Sequence, residues 1–573
     1  MTLDLGGALG FGVMRLSELD EARALRLIHE ALDRGVRFFD TADVYAPSAD
    51  EMGHNERLLA KALGRRREGV VVATKGGLWR EGKQWIPDGR AKHLKAACEA
   101  SLEALGVDHI DLYQLHALDP KVSLATSLRA LASLQKQGKV RHVGLCNIRL
   151  EDIEAAQKIV EIASVQVGLS PLAQTPFKNG VVHYCVDQGI RLIAHSPLGG
   201  HRRAKRISKL AVLRAIAKRH GVSAHEIALA WLRRVDPIIV PLAGATRVDA
   251  LVSSLHALGV TLTDDDLAEL DEALPAGAVV RAPPPPVPID ADGEVALFVG
   301  YPGAGKSTLA ESWVSRGYTR LNRDAEGGTL ADLLPELDRH LASGERRVVL
   351  DNTYPRRETR FDVVETARRH GVPVRCLWLE TTLEQAQVNA VRRMVARHGR
   401  LLEPAEMKSS KDPNDFSPEA QFRYRRELEP PRPEESFKQI ETVPFVPRKE
   451  QRTGKAIFLN ELGSTQVLKR YVEADYRIIQ LTYQPGASEA RTRVDVGGVE
   501  IEVLTCTHQP GRAVCWCRKP LPGLGVLVIE MYELDPAQCI VVGESAADRG
   551  FAERLGFRLV SPDEFFNSPG PTF

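Results

Sequence analysis

Eight short apolar runs alternate with amphipathic helical stretches over roughly the first 270 residues, and this alternation constrains the fold more than any other feature. Glu21–Arg34 and Glu56–Leu63 are two of the helical stretches. A β-then-α unit repeated eight times predicts a closed TIM (β/α)₈ barrel, in which polar residues at the strand carboxyl ends usually carry the chemistry. The predicted strands are Leu9–Met14, Arg37–Thr41, Val70–Thr74, Ile110–Leu115, Val140–Cys146, Ser164–Val167, Arg191–Ala194 and Ile238–Pro241.

The chain of 573 residues is too long for one core, and a run of prolines within Arg281–Pro288 marks the clearest boundary. A second, polar boundary falls at Val446–Gly454. We therefore expect a barrel at 1–280, a proline-rich linker at 281–290, and α/β pieces at 291–446 and 447–573, each of ordinary domain size.

Composition narrows the function classes only slightly. A formal net charge of +1 gives no whole-chain argument for coating nucleic acid, so any basic surface is local. We see no secretory signal and no apolar run long enough to span a bilayer. Eight cysteines, several of them in one stretch, suggest a metal site more than a disulfide framework. The expectation is a cytoplasmic enzyme with no membrane partner.

Four polar residues follow successive predicted barrel strands. Asp40 ends the second strand and Tyr45 lies in its loop, while Lys75 and His116 end the third and fourth. A tyrosine hydroxyl can protonate a developing alkoxide when a nearby cation such as Lys75 assists it, and His116 can orient the carbonyl oxygen. The pattern predicts reduction of a small carbonyl substrate. A barrel that binds dinucleotide without catalysis is the alternative.

The segments Phe38–Tyr45, Ala73–Lys75, Ile110–His116 and Val143–Asn147 resemble the aldo-keto reductase family. The resemblance implies a tetrad of Asp40, Tyr45, Lys75 and His116 with Tyr45 as the acid, and NADP(H) as cofactor. Two positions depart from the family pattern: Cys146 replaces a serine, and His195 replaces an aromatic ring against the nicotinamide. The implied cofactor residues are Asn147 and Gln166 at the carboxamide, His195 at the ring, Ser196, Leu198 and Gly199 at the pyrophosphate, and Gly244 and Arg247 at the adenosine phosphate.

The segment 300–308 carries a phosphate-binding loop. A predicted buried strand, Glu294–Gly300, leads into the pattern G-x-x-x-x-G-K-[ST] and then into a helix at Leu309–Arg316. Backbone N–H groups and the helix start would cradle ATP, Lys306 would reach its β- and γ-phosphates, and Ser307 would bind Mg²⁺. The predicted nucleotide-binding residues are Gly300, Gly303, Gly305, Lys306, Ser307 and Thr308.

Asp324 and Asp351 follow the next two predicted parallel strands, and Asp324 can accept a hydroxyl proton as a general base. The alternative for Asp324 is a helix N-cap. The segments 318–324, 351–353, 371–376 and 422–425 resemble the kinase domain of animal polynucleotide kinase–phosphatase. That resemblance implies phosphoryl transfer to the 5′-hydroxyl end of RNA or DNA, Asp351 near the acceptor, and Arg393 as a lid residue over the phosphates.

Nine arginines in two helical stretches could neutralise a nucleic-acid backbone, although a solvated helix face is the alternative. These arginines are Arg356, Arg357, Arg360, Arg368, Arg369, Arg392, Arg393, Arg397 and Arg400.

The last piece carries a predicted zinc site of three thiols and one imidazole, in the pattern C-x-H…C-x-C. The surrounding segments 455–464, 481–486 and 541–548, together with Lys519, resemble haloacid-dehalogenase (HAD) phosphatases that carry a zinc loop. Asn460 and Leu462 stand where that family needs two aspartates, so we expect a pseudophosphatase. The predicted zinc ligands are Cys506, His508, Cys515 and Cys517.

The favoured interpretation is therefore a polynucleotide 5′-kinase fused to a reductase barrel and an inactive phosphatase frame. The alternative makes the NADPH-dependent reductase the main activity, with the kinase regulatory or acting on a small molecule.

Overall fold

The computed structural model describes residues 3–282, 287, 293–446, 451–511 and 514–568. The chain divides into two compact units, Met1–Pro285 and Pro286–Phe573. Most of the predicted linker 281–290, and residues 447–450 of the second predicted boundary, lie outside the described residues. Among the helices in the described ranges, none has the length and apolar content that crossing a bilayer requires.

The first unit confirms the barrel predicted from the sequence. Its eight parallel strands close in the order β1-β10-β9-β8-β7-β6-β3-β2, and an antiparallel hairpin, β4 and β5, follows the third barrel strand. The sequence analysis did not anticipate this hairpin. The strands are β1 (Gly10–Gly12), β2 (Phe38–Asp40), β3 (Val71–Gly76), β4 (Leu78–Glu81), β5 (Gln84–Pro87), β6 (Ile110–Leu115), β7 (Val140–Cys146), β8 (Ile162–Gly168), β9 (Arg191–His195) and β10 (Ile239–Ala243).

The helices of the first unit begin at residues that suit helix starts. Asp20 caps the first helix by accepting from the backbone N–H of Arg23, and Ser223 forms a capping box with Glu226. The helices are α1 (Glu21–Asp33), α2 (His54–Leu63), α3 (Ala91–Leu105), α4 (Leu124–Lys136), α5 (Leu150–Gln157), α6 (Thr175–Lys178), α7 (Val181–Gln188), α8 (Ala204–Ile207), α9 (Ala211–His220), α10 (Ala224–Val235), α11 (Val248–His256), α12 (Asp264–Ala273) and α13 (Pro275–Arg281).

Strand periodicity places the polar residues of the barrel above an apolar layer. Phe38, Ala73 and Leu112 belong to one buried cluster inside the barrel. Because side chains alternate along a strand, the residue two positions further on each strand points to the same side. Those residues are Asp40, Lys75 and Gln114, so the polar layer lies at the carboxyl ends of the strands.

The second unit contains two sheets. The first is parallel, in the order β12-β13-β11-β14-β15; the second has the order β18-β19-β17-β16-β20-β21 and is parallel except for β18. Its strands are β11 (Glu294–Val299), β12 (Thr319–Leu321), β13 (Arg347–Leu350), β14 (Val374–Leu379), β15 (Gln439–Val443), β16 (Lys455–Leu459), β17 (Tyr476–Tyr483), β18 (Arg491–Asp495), β19 (Glu500–Cys506), β20 (Ile540–Val542) and β21 (Arg558–Val560).

The longest helix of the second unit, α18, belongs to both halves. It follows β14 of the first sheet, and its residues Val391, Met394 and Val395 share one buried cluster with Phe458 and Trp516 of the second half. The helices are α14 (Lys306–Val314), α15 (Arg323–Glu326), α16 (Leu333–Ala342), α17 (Arg357–Arg369), α18 (Leu383–His398), α19 (Pro404–Ser409), α20 (Pro418–Glu427), α21 (Thr465–Glu473), α22 (Gly523–Tyr532), α23 (Ala546–Leu555) and α24 (Pro562–Phe566).

Candidate functional sites

A buried ion pair occupies the carboxyl-end layer of the barrel. The Lys75 Nζ atom lies 2.6 Å from Asp40 Oδ2 and donates to the Thr41 carbonyl at 2.8 Å. The other oxygen, Asp40 Oδ1, accepts from the side-chain amides of Gln166 at 2.7 Å and Gln114 at 3.2 Å. Both charges are removed from water, and every contact named here compensates that loss.

Tyr45 lies beside this ion pair. The Lys75 ammonium is 5.0 Å from the centre of the Tyr45 ring. Burial raises the pKa of the Tyr45 hydroxyl to about 12, although the charge of Lys75 acts in the opposite direction. Burial by itself lowers the pKa of Lys75, but the charges of Asp40 and Tyr45 outweigh it and the net shift is upward. The site therefore holds a protonated phenol next to a stable cation.

An aromatic wall surrounds the Tyr45 hydroxyl. The ring centroids of Tyr45 and His116 are 5.7 Å apart, and Trp85 from hairpin β4–β5 lies 5.6 Å from Tyr45 and 5.8 Å from His116. Burial and the charge of Lys75 hold the pKa of His116 well below its usual range, so its imidazole is neutral. His116 Nδ1 is buried without a hydrogen-bond partner among the described residues. These three rings pack against one another beside the buried ion pair.

Three of the predicted cofactor residues form one hydrogen-bonded row at the rim. His195 Nε2 lies 3.1 Å from Asn147 Oδ1, and His195 Nδ1 lies 3.3 Å from Ser196 Oγ. Asn147 and Ser196 both adopt left-handed backbone angles, with φ of 53° and 52°, which is a strained conformation that clusters at functional sites. Gln166, predicted to bind the carboxamide, lies outside this row and donates its amide N–H to Asp40.

The other predicted cofactor residues lie on exposed or partly exposed loops. Leu198 and Gly199 follow β9, and Gly199 has a φ of +82° that only glycine adopts easily. Gly244 follows β10 directly. Arg247 is two-thirds exposed and pairs with the equally exposed Asp249 at 3.1 Å, so its guanidinium can turn to a phosphate at small cost.

The phosphate-binding loop has the predicted strand–loop–helix setting. It connects β11 to α14, and Gly303 and Gly305 have φ values of +90° and +94°. A Cβ atom on Gly303 would lie 2.5 Å from the Ala386 carbonyl oxygen, so α18 approaches the loop too closely for any side chain there. Ser307 and Thr308 are exposed in the first turn of α14, and Gly300 ends the strand side of the loop.

Lys306 forms hydrogen bonds to the glycine-rich loop that precedes it. Its Nζ donates to the carbonyls of Gly300 at 3.0 Å and Tyr301 at 2.8 Å. Burial is the main cause that lowers the pKa of Lys306 to about 8; the charge of Arg393 acts in the same direction, and the charges of Asp351 and Asp324 oppose it. The three predicted catalytic side chains therefore interact electrostatically with one cation.

The two predicted carboxylates differ in exposure. Asp351 is buried, and it accepts from Arg320 and, at 3.1 Å, from Asn322 Nδ2. Asp324 is exposed on α15 and pairs with the neighbouring Arg323 at 2.7 Å. The N-cap of α15 is Asn322, so the alternative role considered for Asp324 does not apply. Asp324 is therefore the accessible carboxylate and Asp351 the fixed one.

Most of the arginines considered for nucleic-acid binding have carboxylate partners, which favours the alternative of a structural role. Arg360 is fully buried and pairs with Glu435 at 2.7 Å, while Arg393 instead donates to Asn414 Oδ1 at 2.8 Å. The remaining pairs are Arg356–Glu427, Arg368–Glu365, Arg369–Asp338, Arg392–Glu530, Arg397–Asp412 and Arg400–Glu406.

The structure brings the four predicted zinc ligands together. One ligand atom from each of Cys506, His508, Cys515 and Cys517 lies within 4.8 Å of every other. His508 Nδ1 is 3.6 Å from the sulfur atoms of both Cys506 and Cys517. Three thiols and one imidazole around one point fit a closed tetrahedral Zn²⁺ site.

The neighbouring site keeps a polar network without a nucleophile. Asp548 Oδ1 accepts from Asn460 Nδ2 at 3.0 Å and from Lys519 Nζ at 2.7 Å, while Asp548 Oδ2 accepts from the backbone and hydroxyl of Ser545. Burial would raise the pKa of Asp548, but these hydrogen bonds lower it overall. Four donors fill the four acceptor positions of this carboxylate.

Several residues that complete the sites were not found from the sequence. Gln114 was within reach of strand periodicity, because it lies two residues before His116 on the same strand. Trp85 and Asn414 gave no such signal, since a hairpin and a loop bring them to their partners.

Comparison with known proteins identifies two segments. Residues 8–275 match the model of the aldo/keto reductase family, and residues 295–410 match the model of an AAA domain. An uncharacterized oxidoreductase from Schizosaccharomyces pombe is 34% identical over 272 residues, covering 46% of this chain and 85% of that protein. A probable aldo-keto reductase from Glycine max is 32% identical over 307 residues, covering 47% and 86%.

Two solved structures resemble the first unit. A thermostable aldo-keto reductase in complex with the inhibitor epalrestat shares 27% identity, covers 48% of this chain and 99% of its own, and has a TM-score of 0.42. An aldo-keto reductase from Klebsiella pneumoniae in complex with NADPH shares 24% identity, covers 50% and 95%, and has a TM-score of 0.42.

Replacing Lys75 with Met is expected to destabilise the first unit by about 3–5 kcal/mol, because the Asp40 charge stays buried without its cation. The same replacement at Lys61, whose ion pair with Glu21 is exposed, should cost less than about 1 kcal/mol. Urea unfolding of the full chain measures the loss of stability in each variant. Hydrogen exchange in β2 and β3 shows whether the loss lies in the barrel. Equal costs for the two variants would show that the buried pair does not stabilise the barrel.

Proposed function

Since the chain belongs to the aldo/keto reductase family through residues 8–275, we propose that its barrel is an NADP(H)-dependent oxidoreductase that reduces a small aldehyde or ketone. The buried Lys75–Asp40 pair beside the Tyr45 hydroxyl is the observation that carries this proposal. The rim fits the cofactor, because Asn147 and Ser196 hold polar groups in strained, left-handed backbone conformations. NADPH supplies the hydride when it is bound.

Tyr45 is the proton donor in this mechanism. Its pKa of about 12 keeps the hydroxyl protonated at neutral pH, so it can give a proton to the carbonyl oxygen as that oxygen gains charge. The Lys75 cation stabilises the phenolate that remains, and Asp40 holds Lys75 in place. Neutral His116 orients the substrate by hydrogen bonding. Arg247 favours the 2′-phosphate of NADP over NAD because it is exposed and only weakly paired.

Tyr45→Phe is expected to lower kcat for aldehyde reduction by about 10²–10⁴-fold while leaving NADPH binding unchanged, since only the proton donor is lost. The wild-type rate should show no inflection near the usual histidine pKa, because His116 is already neutral, and should fall only as pH rises toward the Tyr45 pKa of about 12. NADPH oxidation at 340 nm over a pH series measures both effects.

The matched control is Tyr184→Phe, which removes a hydroxyl bonded to Gln157 on the helical exterior and should leave the rate unchanged. Full activity in Tyr45→Phe would reject Tyr45 as the proton donor. NADPH binding without any aldehyde reduction by the wild-type protein would instead favour a barrel that binds dinucleotide without catalysis.

For the second unit we propose an ATP-dependent phosphotransferase that acts on the 5′-hydroxyl end of RNA or DNA. The carrying observation is the buried Lys306 at the start of α14, whose Nζ donates to the Gly300 and Tyr301 carbonyls of the glycine-rich loop; the charges of Asp324, Asp351 and Arg393 act on this cation. The loop from Gly300 to Thr308 would hold the phosphates of ATP, and Ser307 would hold Mg²⁺, which neutralises charge on the phosphates. The resemblance of residues 318–324 and 351–353 to polynucleotide kinases supports the nucleic-acid acceptor.

Each charged residue has a separate task in this reaction. Lys306 and Arg393 stabilise the charge on the transferred phosphoryl group, and the accessible Asp324 takes the proton of the attacking hydroxyl. Asp351 is fixed by Arg320 and Asn322 and orients the acceptor. Because the other arginines are mostly paired, the acceptor is gripped through few phosphate contacts, and its affinity should depend only weakly on salt.

Asp324→Asn is expected to reduce label transfer from γ-labelled ATP to 5′-hydroxyl oligonucleotides by about 10²–10⁴-fold, because the general base is lost. Glu326→Gln, which neutralises an exposed carboxylate on the same short helix, is the matched control and should transfer at the wild-type rate. The assay compares RNA, DNA and small hydroxyl compounds as acceptors.

Labelling of small hydroxyl compounds alone would reject the nucleic-acid acceptor and favour a small-molecule or regulatory kinase beside the reductase. Equal loss in both variants would remove the special role of Asp324.

For residues 447–573 we propose a HAD-like pseudophosphatase. Asn460 cannot form an aspartyl phosphate, and the Asp548 carboxylate is engaged by Asn460 and Lys519.

A further inference from the structure

The C-terminal half of the second unit packs directly against the helix that carries Arg393. Met394 and Val395 of α18 are buried in one cluster with Trp516 and Leu524. Polar contacts flank this cluster: Arg554 Nε donates to Gln387 Oε1 at 2.7 Å, and Arg392 pairs with Glu530 at 3.3 Å. The helix α18, which carries the proposed lid residue Arg393, therefore packs against the proposed pseudophosphatase domain.

The Cys/His cluster makes a second connection, to the segment 399–416 that follows α18. Glu403 Oε2 lies 2.6 Å from His508 Nε2. Since His508 turns Nδ1 toward the thiols, its Nε2–H is the donor to this carboxylate. A carboxylate on the outer nitrogen of a histidine ligand fixes the ring and raises its basicity toward the metal.

A third connection starts between two of the cluster cysteines. Trp516 is fully buried and donates its indole N–H to the Phe416 carbonyl at 3.0 Å; the two rings meet edge to face. Phe416 lies two residues from Asn414, whose Oδ1 accepts from Arg393 at 2.8 Å. Four residues, Trp516, Phe416, Asp415 and Asn414, therefore connect the cluster to Arg393.

The same loop is tied to the end of α18 by further contacts. His398 Nε2 bonds Asp415 Oδ1 at 3.0 Å, and Arg397 pairs with Asp412. Asp412 also accepts from the backbone of Asn414 at 2.8 Å. The buried Asp415 and its bond to His398 therefore connect Phe416 to the end of α18, while the Arg397–Asp412 and Arg393–Asn414 contacts lie at the surface.

We propose that Zn²⁺ bound by Cys506, His508, Cys515 and Cys517 pins the segment 399–416 through Glu403 and Trp516, and so positions Arg393 for ATP. This inference rests on the proposed kinase function. It gives the proposed pseudophosphatase domain a role of its own. In this role, which we call the brace, the zinc-stabilised domain holds the lid residue Arg393 in position. Glu403 and Trp516 are positioning residues, since neither contacts the nucleotide loop.

The test compares the full-length zinc-loaded protein with the same protein after removal of zinc by a chelator. Binding of a non-hydrolysable ATP analogue with Mg²⁺ should weaken roughly tenfold on zinc removal, within the range of known coupling between sites. Amide hydrogen exchange should rise in residues 399–416 and in the last turns of α18. Exchange in the barrel strands is the internal control and should not change.

Two variants separate the binding of zinc from its effect on binding of the ATP analogue. Glu403→Ala should lower zinc affinity by about 10–100-fold, the usual effect of losing such a partner. Trp516→Phe should retain one zinc per chain but still weaken analogue binding and raise exchange at 412–416, because the indole N–H is lost and the bulk remains. Glu500→Gln is the matched control: it neutralises an exposed glutamate paired with Arg493 in the same half, and should change neither quantity.

The outcomes distinguish this inference from the kinase proposal. No analogue binding by the zinc-loaded protein would reject the kinase function itself. Equal analogue affinity with and without zinc, or Trp516→Phe identical to wild type in both affinity and exchange, would reject the brace while leaving the kinase intact.

Discussion

The ion pair between Lys75 and Asp40 is the interaction on which the first unit depends. Two opposite charges are buried at the centre of the barrel, and their desolvation is offset only when every remaining donor and acceptor is satisfied. Thr41, directly after β2, accepts from Lys75, and Gln114 on β6 and Gln166 on β8 donate to Asp40. The same contacts fix Lys75 beside Tyr45. The arrangement that stabilises the buried charge is therefore also the one that the proposed proton transfer from Tyr45 requires.

Strand periodicity explains why so much of the barrel could be predicted from the sequence. All eight predicted runs appear as barrel strands, with ends displaced by at most two residues. Asp40, Lys75 and His116 were recognised because parallel strands end at one edge of the sheet, which brings distant residues together without knowledge of any contact. The glycine-rich loop could also be predicted from the sequence. Its pattern places glycine at positions 303 and 305, where the backbone adopts positive φ values that other residues rarely adopt.

The hydrogen-bond and ion-pair partners of individual side chains could not be predicted from the sequence in this way. Arg360 looks like part of a basic helix face, yet it is buried against Glu435, 75 residues further along the chain. Gln166 was predicted to contact the cofactor by resemblance, and the structure adds a partner that the sequence did not indicate, because its amide N–H donates to Asp40. Pairing depends on how elements pack, and neither composition nor spacing along one element encodes it. The functional meaning of a charge therefore has to be taken from its neighbours in space.

Packing gives the C-terminal half of the second unit a structural role that needs no chemistry of its own. Asn460 donates its amide to Asp548, and the Lys519 ammonium pairs with the same carboxylate, so these side chains form a satisfied polar network. The face that packs on α18 buries Trp516 and Leu524. Loss of that face would expose the apolar side of the helix that carries Arg393. The packing on α18 therefore constrains this half of the unit independently of any reaction at Asp548.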